Sequence, residues 1–221
     1  MSVERSVARW LWRQWRRVLA RDEARLRIAA LNGTPIIVLP GVFDGVRLRT
    51  GAFLAQALDG EACPPGARVL DLGTGSGLGA VYAARWGARV IATDLNPEAA
   101  RCARVNALAQ HLDERIETRV GDLFEPVRGE RFDVILFNPP YYRGPPRDLS
   151  DAAWRSPDVF DRFLRELPKY LTPAGRALVV LSSDGDVAGA LSDARHLAVR
   201  AVRERDLRNE VLTVYDLRLA Q

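Results

Sequence analysis

Between Arg68 and Leu217 the chain alternates short β-branched runs with helical stretches, and this rhythm constrains its fold more than any other feature. Strands are expected over Arg68–Asp71, Arg89–Asp94, Arg115–Val120, Phe132–Asn138, Ala177–Leu181, Val199–Arg205 and Glu210–Leu217. The apolar spacing between them predicts helices over Gly77–Arg85, Pro97–Leu112, Val159–Tyr170 and Asp186–His196. Strands that alternate with helices of this length build βαβ units and a mainly parallel sheet covered on both faces. The end departs from the rhythm, because only Asp206–Asn209 separates the last two strands. That connection is too short for a crossover and makes an antiparallel hairpin.

Upstream, Ile36–Leu39 reads as a short β-rich run after a connector through Asn32, Gly33 and Pro35, and a helix is expected from Thr50 to Leu58. The first residues form an amphipathic pattern, with Val3, Val7, Trp10, Leu11, Trp15 and Val18 on one helical face and Arg5, Arg9, Arg13 and Arg16 on the other. Its apolar face either packs on the main domain or docks an acidic partner, a nucleic acid or an anionic membrane surface. The expected division is an N-terminal amphipathic extension over residues 1–35 and one α/β domain over residues 36–221, in keeping with a length of 221 residues.

A chain 48% hydrophobic and 27% charged, with no apolar run near the ~18 residues of a membrane span, is expected to be a soluble globular protein. Two cysteines, Cys63 and Cys102, have no metal or redox spacing, which fits a reducing cytoplasm. The net charge of +4 permits an acidic partner without requiring one, and Lys169 is the sole lysine. His111 and His196 fall in or at the end of expected helices and read as surface or capping residues.

Two motifs carry the chemistry. Asp71-Leu-Gly-Thr-Gly-Ser-Gly77 follows the first strand of the alternation, where Gly73, Gly75 and Gly77 let the backbone turn tightly and approach a ligand at the start of a helix. Asp94 ends the next strand, placed to accept hydrogen bonds from both hydroxyls of a ribose, and Asp122 follows the third, where a carboxylate can take an adenine amino group. An acidic residue at the head of the turn, Asp71, would repel a pyrophosphate but sits well beside a sulfonium and an ammonium group. The combination favours S-adenosylmethionine over a dinucleotide. Capping of helices or strand ends is the plainer role for each of these aspartates.

The second motif, Asn138-Pro-Pro-Tyr141, lies at the carboxyl end of an expected central strand, beside the crevice where open α/β sheets bind ligands. The Asn138 side-chain oxygen and the Pro139 carbonyl can accept both N–H groups of an amide or aromatic amine and align its lone pair with an incoming methyl. The two prolines stiffen that carbonyl, and Tyr141 offers an aromatic wall. The proline-rich segment from Pro139 to Pro157 reads as a loop beside the site.

On Asp71–Gly77, Thr93-Asp-Leu-Asn-Pro97, Asn106, Gly121-Asp122, Phe132-Asp133 and Asn138–Tyr141 the chain resembles class I S-adenosylmethionine-dependent methyltransferases, and among them the HemK-like family that N-methylates glutamine in release factors. The resemblance covers roughly residues 42–217. It implies a Rossmann-like sheet of seven strands, with helices on both faces and the hairpin at its end. It also implies a cofactor set of Thr50, Asp71, Gly73, Gly75, Gly77, Asp94, Leu95, Asp122, Leu123 and Asn138, a catalytic set of Asn138, Pro139 and Tyr141, and no metal. Its substrate is a protein glutamine amide. An Asn-Pro-Pro-Tyr motif is also found in enzymes that methylate adenine N6 or guanine N2 of RNA or DNA, and a small-molecule acceptor under a tryptophan-bearing lid is a third reading. Bacterial release-factor enzymes carry a larger N-terminal helical domain, and a short-chain branch works with a small zinc-binding partner subunit, so recognition here is expected to differ. Ala153-Trp-Arg-Ser-Pro157 replaces the glycine-rich stretch that follows the acceptor motif in that family, and Thr50 lacks the acidic neighbours of its family counterpart.

Overall fold

The computed structural model describes Val7 and residues 25–220. Apart from Val7, the N-terminal amphipathic pattern falls outside them. The description starts with a hairpin of β1 (Arg27–Leu31) and β2 (Thr34–Val38), joined by Asn32 and Gly33, both at positive φ (49° and 77°). Asn-Gly is the dipeptide that favours such two-residue turns, so the connector expected here is a hairpin loop, and β1 is a strand the apolar spacing did not suggest. The division expected at residue 35 runs through β2. The hairpin lies on the main domain: Tyr82 donates from its hydroxyl to the Leu31 carbonyl at 2.7 Å, and the fully buried Asn106 amide accepts from Ile37 N at 2.8 Å.

The main sheet has seven strands in the order β5-β4-β3-β6-β7-β9-β8: β3 (Arg68–Leu72), β4 (Arg89–Asp94), β5 (Ile116–Val120), β6 (Phe132–Phe137), β7 (Leu171–Ser182), β8 (Leu197–Asp206) and β9 (Val211–Leu219). β3 to β6 and the β6–β7 pair run parallel, whereas β9 is antiparallel to both β7 and β8. The α/β fold with a terminal hairpin is therefore as expected. Helices α1 (Thr50–Ala55), α2 (Leu78–Arg85) and α3 (Pro97–Ala109) pack with the hairpin on one face, and α4 (Val159–Glu166) on the other.

Alternation in the strands divides the core. Val69, Val134 and Leu136 face Phe53, Val81 and Cys102, while Leu70, Ile135 and Phe137 face Phe160, Phe163 and Leu164. Successive side chains of a strand point to opposite faces, and strands buried on both faces read as continuous apolar runs. Both cysteines are free and buried, and burial pushes the Cys63 thiol up to about 11.

The helix expected over Asp186–His196 shrinks to a single turn, α5 (Ala190–Asp193). Asp186 is committed elsewhere: its N–H donates to the Tyr141 carbonyl at 2.7 Å and its carboxylate accepts from Arg143 N at 3.2 Å. β7 begins earlier than expected because Thr172–Gly175 bulge out of register between the pairs Phe132–Leu171 and Val134–Arg176. The next strand in sequence after β3 lies on one side of it and β6 on the other, so the sheet has its topological switch at β3 and β6. Open α/β sheets bind ligands at the carboxyl ends of the strands flanking such a switch.

Candidate active site

A cavity of about 320 Å³ opens at that switch. Every residue assigned to the two sets in the sequence borders it except Gly77, and neither histidine does. Gly77 serves packing instead. At φ 81° it starts α2, and a Cβ there would lie 2.7 Å from Ala103 Cα, so only glycine lets α2 approach α3 this closely.

On the β3 side the turn is held by carboxylates. Asp71 accepts from the Thr74 hydroxyl at 2.5 Å and from Ala80 N at 2.9 Å, and Gly79 leaves it room, since a Cβ there would meet Asp71 Oδ1 at 2.6 Å. Burial pushes its carboxyl up to about 7, against the opposing effect of these two hydrogen bonds. Asp71 thus staples the glycine turn to the first turn of α2, which is the capping role, and its polar contacts go to the protein rather than outward. Asp94 accepts from Gly75 N and Asn96 N, each at 2.9 Å, and burial raises its carboxyl above the usual range. Leu95 beside it borders the cavity yet is 48% exposed. Asn106 closes the turn from behind, donating to the Ser76 carbonyl at 2.8 Å. At the far wall Arg162 of α4 forks onto Asp122 with contacts of 2.6 and 3.2 Å, and Leu123 follows at φ 46°.

On the β6 side Asn138 is clamped at both ends of its amide. Its Nδ2 donates to Thr50 Oγ1 at 3.2 Å, and its Oδ1 accepts from the Tyr141 hydroxyl at 2.7 Å. In this arrangement the Tyr141 hydroxyl donates and the Thr50 hydroxyl accepts. Tyr141 is buried and its hydroxyl is raised well above the usual phenol range by desolvation, so it stays a donor and acts as a brace more than a wall. The aromatic surface comes from residues the motif did not flag: Tyr142, and the edge-to-face pair Phe43 and Trp154, whose centroids are 5.1 Å apart. Trp154 belongs to the loop after the acceptor motif, which is closed on itself by Tyr142 N to Trp154 O and Ser156 N to Tyr142 O, each at 3.0 Å. Arg143 ties the same loop to Asp161 of α4. Glu210, from the β8–β9 turn, also reaches this wall.

The donor set suits S-adenosylmethionine. The residues of the glycine turn and of the β4 end that border the cavity include the Asp94 carboxylate and no basic side chain, which disfavours a pyrophosphate. Asp94, the exposed Leu95 beside it and Asp122 are the lining residues that could hold the cofactor's adenosine. The Asp122 oxygens forked by Arg162 each retain a lone pair for the adenine amino group.

A mainly parallel seven-stranded sheet with an antiparallel terminal hairpin and helices on both faces is the Rossmann-like fold of class I methyltransferases. The chain belongs to the methyltransferase small-domain family, whose model matches residues 33–207. Among curated relatives it is 33% identical over 156 residues to ribosomal RNA small subunit methyltransferase C of Alcanivorax borkumensis, covering 70% of this chain and 45% of that one. It is 36% identical over 159 residues to the release factor glutamine methyltransferase of Cereibacter sphaeroides, covering 64% and 56%. The chain thus spans about half the length of these relatives. Among solved structures, the 16S rRNA N2 G1207 methyltransferase of T. thermophilus, in complex with AdoMet and guanosine, superposes with a TM-score of 0.67 at 23% identity over 89% of this chain and 50% of that one. No helix among the described residues is long and apolar enough to cross a membrane.

Proposed function

We propose that this chain is an S-adenosylmethionine-dependent N-methyltransferase whose acceptor is the exocyclic amino group of an RNA base. The observation that carries the transfer chemistry is the doubly clamped Asn138 amide on the wall of the cavity that also holds Asp94. When bound, S-adenosylmethionine supplies a methyl made electrophilic by its sulfonium. The protein's part is positioning. Asp94 and Asp122 grip the two ends of the adenosine, and Asn138 Oδ1 keeps one lone pair for an acceptor N–H beside the Tyr141 bond. The Pro139 carbonyl takes the second N–H. Two such hydrogen bonds turn the delocalised nitrogen lone pair toward the methyl, so no separate nucleophile or metal is required. The proton is shed to solvent once the alkylated nitrogen carries positive charge.

The acceptor reading rests on Phe43, Tyr142 and Trp154, three half-buried aromatic side chains around the acceptor end that suit a stacked planar ring. A relative named for ribosomal RNA supports it. The second reading is a protein glutamine amide, as in a release factor, which relatives 36% and 39% identical favour by their own substrates. Either substrate belongs to the translation machinery of the cytoplasm, and in the second reading a small partner subunit would supply recognition. The test is to incubate the protein with methyl-labelled S-adenosylmethionine and separated RNA, protein and small-molecule fractions of a lysate. Label in RNA that digests to a methylated amino-substituted nucleoside is the expected outcome. Label in a protein band carrying methylglutamine would replace it with the second reading.

A further inference from the structure

Arg49 sits immediately before Thr50, at φ 70° and ψ −30°, an uncommon backbone conformation for a residue with a side chain. Thr50 N donates to the Leu48 carbonyl at 2.9 Å, so Arg49 is the centre of a γ-turn of the positive-φ kind, the strained one of the two. Strained positions persist only where the surroundings over-determine them. Local bonds hold the backbone here, Arg49 N donating to the Val46 carbonyl at 3.1 Å and Phe53 N to the Arg49 carbonyl at 2.8 Å, and the Arg49 side chain is held from near the other end of the chain. Arg49 Nη2 meets Glu210 Oε1 at 2.9 Å, and Glu210 is itself buried and fixed by the Ser182 hydroxyl on Oε2 at 2.5 Å and by Asn209 Nδ2 on Oε1 at 3.2 Å.

The order of contacts is continuous: Glu210 holds Arg49, the turn at Arg49 sets Thr50, and the Thr50 hydroxyl accepts from Asn138 Nδ2. An asparagine amide whose Nδ2 lost its acceptor could rotate and present a donor to the acceptor N–H groups, which it cannot bind.

We propose that Arg49 and Glu210 form a positioning pair, in which the ion pair from the β8–β9 turn holds the strained turn before α1 and thereby keeps the Asn138 oxygen facing the methyl acceptor. The proposal rests on the N-methyltransferase reading for its consequence in catalysis, but its structural part is testable without any acceptor. The chain has five asparagines, so the side-chain amide pairs of the nitrogen-15-labelled full chain are few, and the Asn138 pair is assigned by its disappearance in Asn138→Asp.

In Glu210→Gln the Asn138 amide pair is expected to move and exchange faster with water. Label transfer from S-adenosylmethionine into lysate RNA and lysate protein is expected to fall on the order of tenfold or more, as a misplaced catalytic group does. Calorimetric affinity for S-adenosylmethionine should stay within about threefold of wild type. In Arg49→Gly/Glu210→Gln both the amide signals and the transfer should return toward wild type, because glycine adopts the positive φ without needing the ion pair. A pair serving only global stability would not be rescued in this way. An unmoved Asn138 pair with full transfer in Glu210→Gln, or a double variant no better than the single, would overturn the proposal. Should Glu210→Gln not fold, the double variant decides alone, a native amide pair supporting the positioning role and a displaced one refuting it. A wild-type protein that binds no S-adenosylmethionine would overturn the N-methyltransferase reading instead, leaving the amide measurement intact.

Discussion

The two walls of the cavity are built by different means. The cofactor wall is local: Asp71, Thr74, Gly75 and Ala80 fall within ten residues, and Asp94 reaches the turn from the strand paired directly with β3. The acceptor wall is assembled from Phe43, Thr50, Asn138, Tyr141, Trp154 and Glu210, which come from five separate parts of the chain. Local hydrogen bonds make the first wall a rigid cradle that a short motif can specify. The second depends on long-range contacts, and its geometry is therefore easier to change without disturbing the fold.

That contrast is open to attack at several points. The largest effect is expected on the acceptor wall, where Asn138→Ala should lower methyl transfer about 10²–10³-fold in kcat, the range found when a preorganised polar group at a reacting centre is removed. Gly77→Ala attacks the cofactor wall through its packing. The added methyl meets the α3 backbone at 2.7 Å and the residue keeps φ 81°, so stability should drop by about 3 kcal/mol in denaturant unfolding.

A third test uses pH. The Asp71 carboxyl rises from 3.8 to about 7 on folding, so between those values the folded protein retains a proton that the unfolded chain has lost. Stability should therefore fall as pH rises from about 4 to 7 and then level off. Asp71→Asn should remove this slope, and equal slopes in both proteins would show that the carboxylate is ionised in its staple.

Asp94→Ala should weaken S-adenosylmethionine binding roughly tenfold, about 1.4 kcal/mol, as read by calorimetry. The smallest change is expected from Trp154→Ala, which should raise the acceptor KM by about 1 kcal/mol worth of stacking while leaving cofactor affinity alone. A Trp154→Ala protein with weakened cofactor binding would show that the walls are not independent.

How far the sequence disclosed this site follows the same division. The glycine turn, Asp94 and the parallel sheet were legible because each is signalled by residues adjacent in the chain. The direction of the Asp71 carboxylate was not, since it depends on the space left by Gly79 and on the hydroxyl of Thr74. The bracing of Asn138 by the Tyr141 hydroxyl was not legible either, since it depends on how the two side chains meet beside the cavity. Phe43, Glu210 and Arg162 carry no signal in the sequence, because each lies far along the chain from the motif it supports and no periodicity marks it. The β1–β2 hairpin does carry a signal, Asn32-Gly33 between two apolar runs.

The central claim, that one wall binds the cofactor and the other positions the acceptor nitrogen, is tested most directly by titrating S-adenosylmethionine calorimetrically into Asn138→Ala beside the wild-type protein. The account predicts affinities within about threefold of each other although transfer is lost. An affinity that falls by the same factor as the rate would contradict it, and would make Asn138 part of the cofactor's own binding site rather than the acceptor's.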